Sequence, residues 1–206
     1  MKSLLLLFAK PPVLGTVKTR LAVAIGNEQA LWVYEQLLAK TVSILCELPY
    51  EVAVFYHQQV PLQPLPITQA THHLPQYGEN LGARMHNAFQ WGFDHGYGPI
   101  CVLGTDLWSL TPTLIHTAFK SLQKKDVVIG PASDGGYYLL GLNKPNAKLF
   151  ENISWSTDQV LTQTQALLES ESVGLLPIHT DIDTFEDLQN NGILYKNYLT
   201  HFNPIS

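Results

Sequence analysis

The feature that most constrains the fold is a run of six apolar residues, Leu4–Ala9, closed abruptly by Lys10-Pro11-Pro12. A strand with one wet face alternates apolar and polar side chains. An unbroken apolar run suits a strand covered on both faces, and such strands lie in the middle of sheets flanked by helices. A helical pattern follows from about Asn27 to Glu47, with Ala30, Leu31, Tyr34, Leu37, Leu38, Thr41, Val42 and Leu45 at helical spacing and Asn27 placed to cap it. Glu51–Tyr56 reads as a strand and the Pro-rich stretch Pro61–Pro66 as an irregular connection. A helix opens at Asn80, with Leu81, Met85, Ala88, Phe89 and Gly92 on one stripe; Ile100–Gly104 is a strand; Thr111-Pro112 starts the next helix. Asp126–Ala132 and Tyr137–Leu142 read as strands around the turn Ser133-Asp134-Gly135-Gly136. Ser156 with Gln159 resembles a capping box for a helix to about Glu169, and Val173–His179 is a last strand before a final helix. Strands joined by helices predict one α/β domain over residues 1–206, with a mostly parallel sheet covered on both sides.

Composition narrows the function classes. Hydrophobic residues make up 46% and charged residues 14%, against roughly 25% charged in an average globular domain, which argues against disorder. A net charge of −5 without a basic stripe excludes a broad nucleic-acid surface. No apolar run approaches the ~18 residues of a membrane span, so no membrane partner is expected. Met1-Lys2-Ser3 before Leu4–Ala9 faintly imitates a signal peptide, but the run is too short and Lys10-Pro11-Pro12 stands where small cleavage-site residues belong; the expectation is a cytoplasmic protein with an intact N-terminus. Cys46 and Cys101 are expected as small buried hydrophobes.

The few charges are concentrated where ligands of such sheets bind, in loops after the strands. The loop from Lys10 to Leu21 holds Lys10, Lys18 and Arg20, three of the twelve basic residues, together with Gly15, and this predicts an anion site. It is not a Walker A loop, because Val17 stands where Gly must precede Lys18, and it lacks the three glycines of a dinucleotide fingerprint. The two arginines, Arg20 and Arg84, both lie near Gly-bearing loops and read as anion or ribose-side ligands, with a surface pair between Arg84 and Glu79 as the alternative. Asp106 ends an apolar strand where folding asks for no charge. Asp181 and Asp183 alternate after the last strand, so only one need point into the cleft, and Asp183 has helix capping as its alternative role. Carboxylates from separate strand ends suit Mg²⁺ or Mn²⁺. Asp134 beside Gly135, Gly136, Tyr137 and Tyr138 suggests a substrate-side turn, while the eight histidines read as ordinary surface or core residues.

Taken in order, Phe8-Ala9-Lys10-Pro11, Gly15-Thr16-Val17-Lys18-Thr19-Arg20-Leu21, Asn80-Leu81-Gly82-Ala83-Arg84-Met85, Gly104-Thr105-Asp106, the segment Gly130–Gly141, Trp155-Ser156-Thr157 and Asp181-Ile182-Asp183-Thr184 resemble a bacterial family of glycosyltransferase-A-like transferases, the radical-SAM/selenodomain-associated transferases. The family is similar to 2-phospho-lactate guanylyltransferase and, more distantly, to the molybdenum-cofactor nucleotidyltransferases. The resemblance implies the nucleotide-diphospho-sugar transferase fold, a three-layer α/β/α domain with a mixed sheet. It implies that Lys10, Gly15, Lys18, Thr19 and Arg20 hold nucleotide phosphates, with Arg84 beside them, and that Gln76 and Gly78 lie near base or ribose. By the same resemblance Asp106 and Asp183 hold the metal, and Asp134, Gly135, Gly136, Tyr137 and Trp155 line the acceptor side. One departure stands out: Leu107-Trp108 follows Asp106 where the family carries Asp-x-Pro, so substrate identity does not carry over and Trp108 is expected to reshape the acceptor side.

Three functions fit these residues. The first is a glycosyltransferase using a nucleotide-diphosphate sugar, with Asp134 as the base for a hydroxyl acceptor. The second is a nucleotidyltransferase in which a small phosphorylated or carboxylated acceptor attacks an NTP and pyrophosphate leaves, Lys18 and its neighbours stabilising the growing charge. The third is a nucleotide-binding protein without turnover. The partners are thus a nucleotide or nucleotide-sugar donor and a small-molecule acceptor.

Overall fold

The computed structural model describes residues 1–202; residues 203–206 of the expected domain lie outside the described residues. The elements run in the order β1 (Lys2–Ala9), α1 (Thr19–Ile25), α2 (Asn27–Cys46), β2 (Glu51–Tyr56), β3 (Ala70–Pro75), α3 (Leu81–Asp94), β4 (Tyr97–Leu103), α4 (Pro112–Leu122), β5 (Val127–Pro131) and β6 (Tyr137–Leu142). A 3-10 turn at Ala147–Phe150 follows, then α5 (Val160–Ala166), β7 (Val173–Leu175), α6 (Phe185–Asn190) and α7 (Gly192–Phe202).

The strands form one sheet in the order β3-β2-β1-β4-β6-β5-β7. β1 pairs in parallel with β2 and β4, β2 with β3, and β5 with β7; β6 runs antiparallel between β4 and β5. This is the expected mostly parallel mixed sheet. The apolar run of β1 is explained by its central position: Leu4, Leu5, Leu6 and Leu7 are all 0% exposed. Leu5 and Leu7 pack with Tyr34 and Leu38 of α2 and Ile115 and Phe119 of α4. Leu4 and Leu6 pack on the opposite face with Met85, Ala88 and Phe89 of α3. Two helical layers therefore cover the sheet. A third cluster joins Leu21 of α1 and Val33 and Leu37 of α2 to Ile182, Leu188 of α6 and Leu194 and Tyr198 of α7.

Several expectations are corrected. The loop before Asn27 contains the helix α1, too short and too charged at its start to show a period. β3 follows the Pro-rich connection as an edge strand; half-exposed His72 and His73 hid it, because an edge strand need not carry a fully apolar face. Gly26, not Asn27, stands at the N-cap of α2. Ser156 does not cap α5: it has φ +65, and the helix begins at Val160 without a side-chain cap. The last strand ends at Leu175, and the single final helix is two. Cys46 is half-buried, whereas Cys101 is buried as expected. The helix starts expected at Asn80 and Thr111 are present, and both side chains cap their helices by accepting from the Ala83 and Leu114 amides.

Because Leu6 is fully enclosed at the centre of the sheet, Leu6→Ala is expected to cost about 2–5 kcal/mol. Urea unfolding checks this: the midpoint should fall while the slope stays constant.

Candidate active site

In a parallel sheet the loops leaving neighbouring strands part company where the chain reverses its direction of travel across the sheet, and a crevice opens there. Here β1 leads to β2 on one side while β4 lies on the other, so the crevice opens between the ends of β1 and β4. A cleft of ≈ 870 Å³ occupies that place.

The loop after β1 is pinned at both ends. Tyr34 of α2, 2% exposed, accepts from the Lys10 amide at 3.0 Å and donates to the Lys10 carbonyl at 2.8 Å. At the far end Val17 is buried in the core beneath the loop. The next residue, Lys18, adopts φ 47 and ψ 43, a left-handed conformation costly for a residue with a Cβ, and stands at the N-cap of α1. That backbone turn sends its side chain inward, where it is 3% exposed. Lys18 Nζ lies 2.5 Å from Asp106 Oδ1 and 2.8 Å from Asp183 Oδ1. Burial alone would drive the ammonium to lose its proton; Asp106 and Asp183 reverse this and hold it charged well above the usual lysine range. Asp183 is correspondingly affected: burial opposes its ionisation, but Lys18 and then Arg20, whose Nη1 is 3.8 Å away, keep its carboxyl below the usual value.

The two carboxylates meet because Ile182, 1% exposed, anchors the segment before α6 and its amide donates to the Asp106 carbonyl at 3.0 Å. Helix capping does not require Asp183, since Thr184 and Asp187 form the capping box of α6 and leave the Asp183 carboxylate to the cleft. Asp181 also lines the cleft. The expectation that only one of the pair need enter the cleft is corrected: residues two apart in an extended segment point the same way, and Asp181 and Asp183 both line the cleft. Asp181 Oδ1 is buried with no hydrogen-bond partner, and burial, reinforced by Asp106, pushes its carboxyl up to about 7.

The cleft gathers Lys10, Lys18, Thr19, Arg20, Gln76, Arg84, Asp106, Asp134, Gly136, Tyr137, Trp155 and Asp183. Gly15, Gly78 and Gly135 do not line it. Gly78, at φ +137, acts at one remove: its carbonyl accepts from Arg84 Nε at 3.0 Å, and a Cβ there would press on the Arg84 amide. Arg84 Nη1 faces His57 Nδ1 at 3.0 Å rather than Glu79. His57 is thus a cleft residue that the sequence reading passed over; burial, Arg84 and Lys10 lower its pKa, which favours the neutral ring. Its position after β2 was the signal that could have marked it. Gln76 donates to the Phe55 carbonyl at 2.9 Å. Asp134 Oδ1 accepts from the Gly136 amide at 2.9 Å, closing the turn between β5 and β6. Trp108 does not reshape the cleft: it packs towards the α1–α2–α7 cluster with Lys40 Nζ 4.5 Å from its ring, while Leu107 and Leu110 face inward.

For Mg²⁺ or Mn²⁺ the donor chemistry fits. Asp106 and Asp183 bring hard oxygens together around the Lys18 ammonium, which contacts Oδ1 of each and leaves their Oδ2 atoms, and an orphaned Asp181 oxygen belongs to the same cleft. No three His, Cys, Asp or Glu side chains converge as a complete ligand set among the described residues. The arrangement corresponds to an ion that keeps water and phosphate oxygens as its other ligands.

This fold and cleft define the chain as a nucleotide-diphospho-sugar transferase fold with a charged site at the switch point. Residues 41–157 match the family described as "Uncharacterized protein conserved in bacteria" (DUF2064), and the chain belongs to that family. It is similar to a crystal structure from Desulfovibrio desulfuricans G20 of a protein proposed to be a nucleotide-diphospho-sugar transferase, with 30% identity over 96% of this chain and 99% of that one and a TM-score of 0.81. A cytidylyltransferase from Leptospira borgpetersenii shares the fold at 14% identity, covering 100% of this chain and 89% of that one, with a TM-score of 0.60. So does Rv0371c from Mycobacterium tuberculosis H37Rv in complex with manganese, at 11% identity, 92% and 97% coverage and a TM-score of 0.54. No curated protein matches the sequence. No helix among the described residues is long and apolar enough to cross a membrane.

Removing the ammonium leaves two carboxylates facing each other. Lys18→Met is expected to cost about 1–3 kcal/mol, less than the ~3–5 of a fully buried pair because both carboxylates keep a solvated side. Differential scanning fluorimetry should show a lowered Tm that Mn²⁺ restores in part, since a divalent cation replaces the missing charge.

Proposed function

We propose that the protein is a transferase with a nucleotide donor bound across the β1/β4 switch point, and that it moves a sugar from a nucleotide-diphosphate sugar to a hydroxyl acceptor. The observation that carries this reading is the engagement of Lys18 by Asp106 and Asp183. Of the three cations after β1, Lys18 is enclosed by that pair, whereas Lys10 and Arg20, which reaches Asp183 only at 3.8 Å and is largely exposed, face donor phosphates, and two cations match a diphosphate better than a triphosphate. The resemblance to the Desulfovibrio protein and its described class supports the same reading.

In this scheme Lys10 and Arg20 bind the diphosphate, Gln76 and Arg84 border the nucleoside, and the whole chain works as one domain. Asp106 and Asp183 would hold Mg²⁺ or Mn²⁺, which when bound neutralises charge on the leaving diphosphate. Lys18 keeps the two carboxylates apart in charge and fixes their separation. The acceptor hydroxyl attacks the anomeric carbon, the bond from that carbon to the diphosphate oxygen breaks, and the hydroxyl proton passes to the Asp134 carboxylate. The Gly136 amide orients that carboxylate by holding Oδ1, which leaves the other oxygen for the proton. Nucleotidyl transfer to an anionic acceptor differs in needing no base, and the donor panel below separates the two.

Melting scans against NTPs and nucleotide-diphosphate sugars, each with Mn²⁺ or EDTA, are the first test. A donor at ~100 times its Kd adds roughly 2.7 kcal/mol of stability. Stabilisation by one sugar nucleotide with Mn²⁺ is the expected result; stabilisation by an NTP alone would favour nucleotidyl transfer instead. Asp106→Asn should keep a cooperative melt and lose Mn²⁺-dependent turnover by at least ~100-fold, the scale of a lost electrostatic contact in a transition state.

A further inference from the structure

The cleft is divided electrically along the boundary between β1 and β4. Lys10, Arg20 and the Arg84–His57 pair lie on the side of β1, β2 and β3, and Lys18 sits on the boundary itself. Beyond Asp106, the wall built from the β5–β6 turn, the start of β6, residues 155–160 and the segment before α6 carries Asp134, Asp158 and Asp181, and among the described residues that these segments contribute to the lining there is no Lys, Arg or His. These three carboxylates make no ion pair among the described residues. Asp134 and Asp158 are held as a unit. Gly135, at φ +88, lies so close to the Asp158 backbone that a Cβ would collide with it, and the Leu161 amide donates to the Gly135 carbonyl at 2.8 Å. Two aromatic rings, Trp155 and Tyr137, line the same cleft, edge to face at 6.5 Å.

We propose that this half of the cleft is an acceptor subsite that selects against negative charge: it takes a polyhydroxylated ring bearing neither phosphate nor carboxylate, and Asp158 is a specificity-determining residue for that choice. The proposal rests on the transferase reading for the role of the subsite, while the charge selection follows from its walls. Ring hydroxyls donate to the carboxylates, and the apolar face of the ring lies against Trp155, the combination by which concave sites bind polar rings. An anionic acceptor would meet two or three unpaired carboxylates with no cation to offset them. Each such like-charge contact lowers affinity by about tenfold at the effective dielectric of a partly open site. A cationic substituent on the ring is favoured by the same field.

The test uses the full chain loaded with Mn²⁺ and the nucleotide that gives the largest melting shift. Three probes are compared by isothermal titration: glucose, glucosamine and glucose 6-phosphate. Glucosamine and glucose are expected to bind at least about tenfold more tightly than glucose 6-phosphate. Asp158→Lys should narrow or invert that ratio by a further tenfold or more, while the Kd for the nucleotide stays the same. Glucose 6-phosphate binding as tightly as the other two, an unchanged ratio in Asp158→Lys, or no binding by any probe would each overturn the proposal. If no nucleotide stabilises the protein, the transferase reading fails instead. The same ratio, measured with inorganic phosphate saturating the cationic half, then still decides the charge preference.

Discussion

Lys18 is buried only because Asp106 and Asp183 receive it, and those carboxylates lie side by side only because Lys18 separates their charges. Neither half of that arrangement is stable alone. An unpaired ammonium in the core would shed its proton, and two adjacent carboxylates would repel or take one up. The chain commits backbone as well as charge to it: Lys18 is held left-handed, Val17 is sunk beneath the loop, and Ile182 ties the last segment to the end of β4. Lys18 and, at 3.8 Å, Arg20 face these two carboxylates, and the orphaned oxygen of Asp181 belongs to the same cleft.

The sheet topology puts this cluster in the cleft at the switch point, where a ligand can reach it. Strands β1 and β4 are neighbours whose chains leave in opposite directions, so their loops cannot cover the gap between them. The same gap separates the cationic wall from the acidic one. A donor rich in phosphate and an acceptor without charge would each find the half that suits it, and their reacting groups would meet over Lys18, Asp106 and Asp183. The fold alone hosts several chemistries, so the case for sugar transfer rests on these charges.

Much of this was legible in the residues. A continuous apolar run means burial on both faces, and β1 is an interior strand flanked by β2 and β4. Caps at Asn80 and Thr111 are local chemistry, read within four residues, and both stand. A charge at the end of an apolar strand has no folding purpose, which marked Asp106. What was misread depended on neighbours distant in the chain. Edge strand β3 and helix α1 carry little periodicity of their own. His57 became a cleft residue through Arg84, and Trp108 turned away because Lys40 and the α7 cluster offered it a place.

The sequence by itself determined the alternation of strands and helices, the central place of Leu4–Ala9 and the short set of charges that folding does not need, because periodicity, capping and unexplained charge are properties of adjacent residues. Only the tertiary structure decided which charges meet. It placed Lys18 between two carboxylates, brought Asp181 as well as Asp183 to the cleft, and left Gly15, Gly78 and Gly135 outside its lining. The reason is that electrostatic partnership falls off with distance in space and is blind to distance along the chain, and that distance exists only once the sheet has assembled.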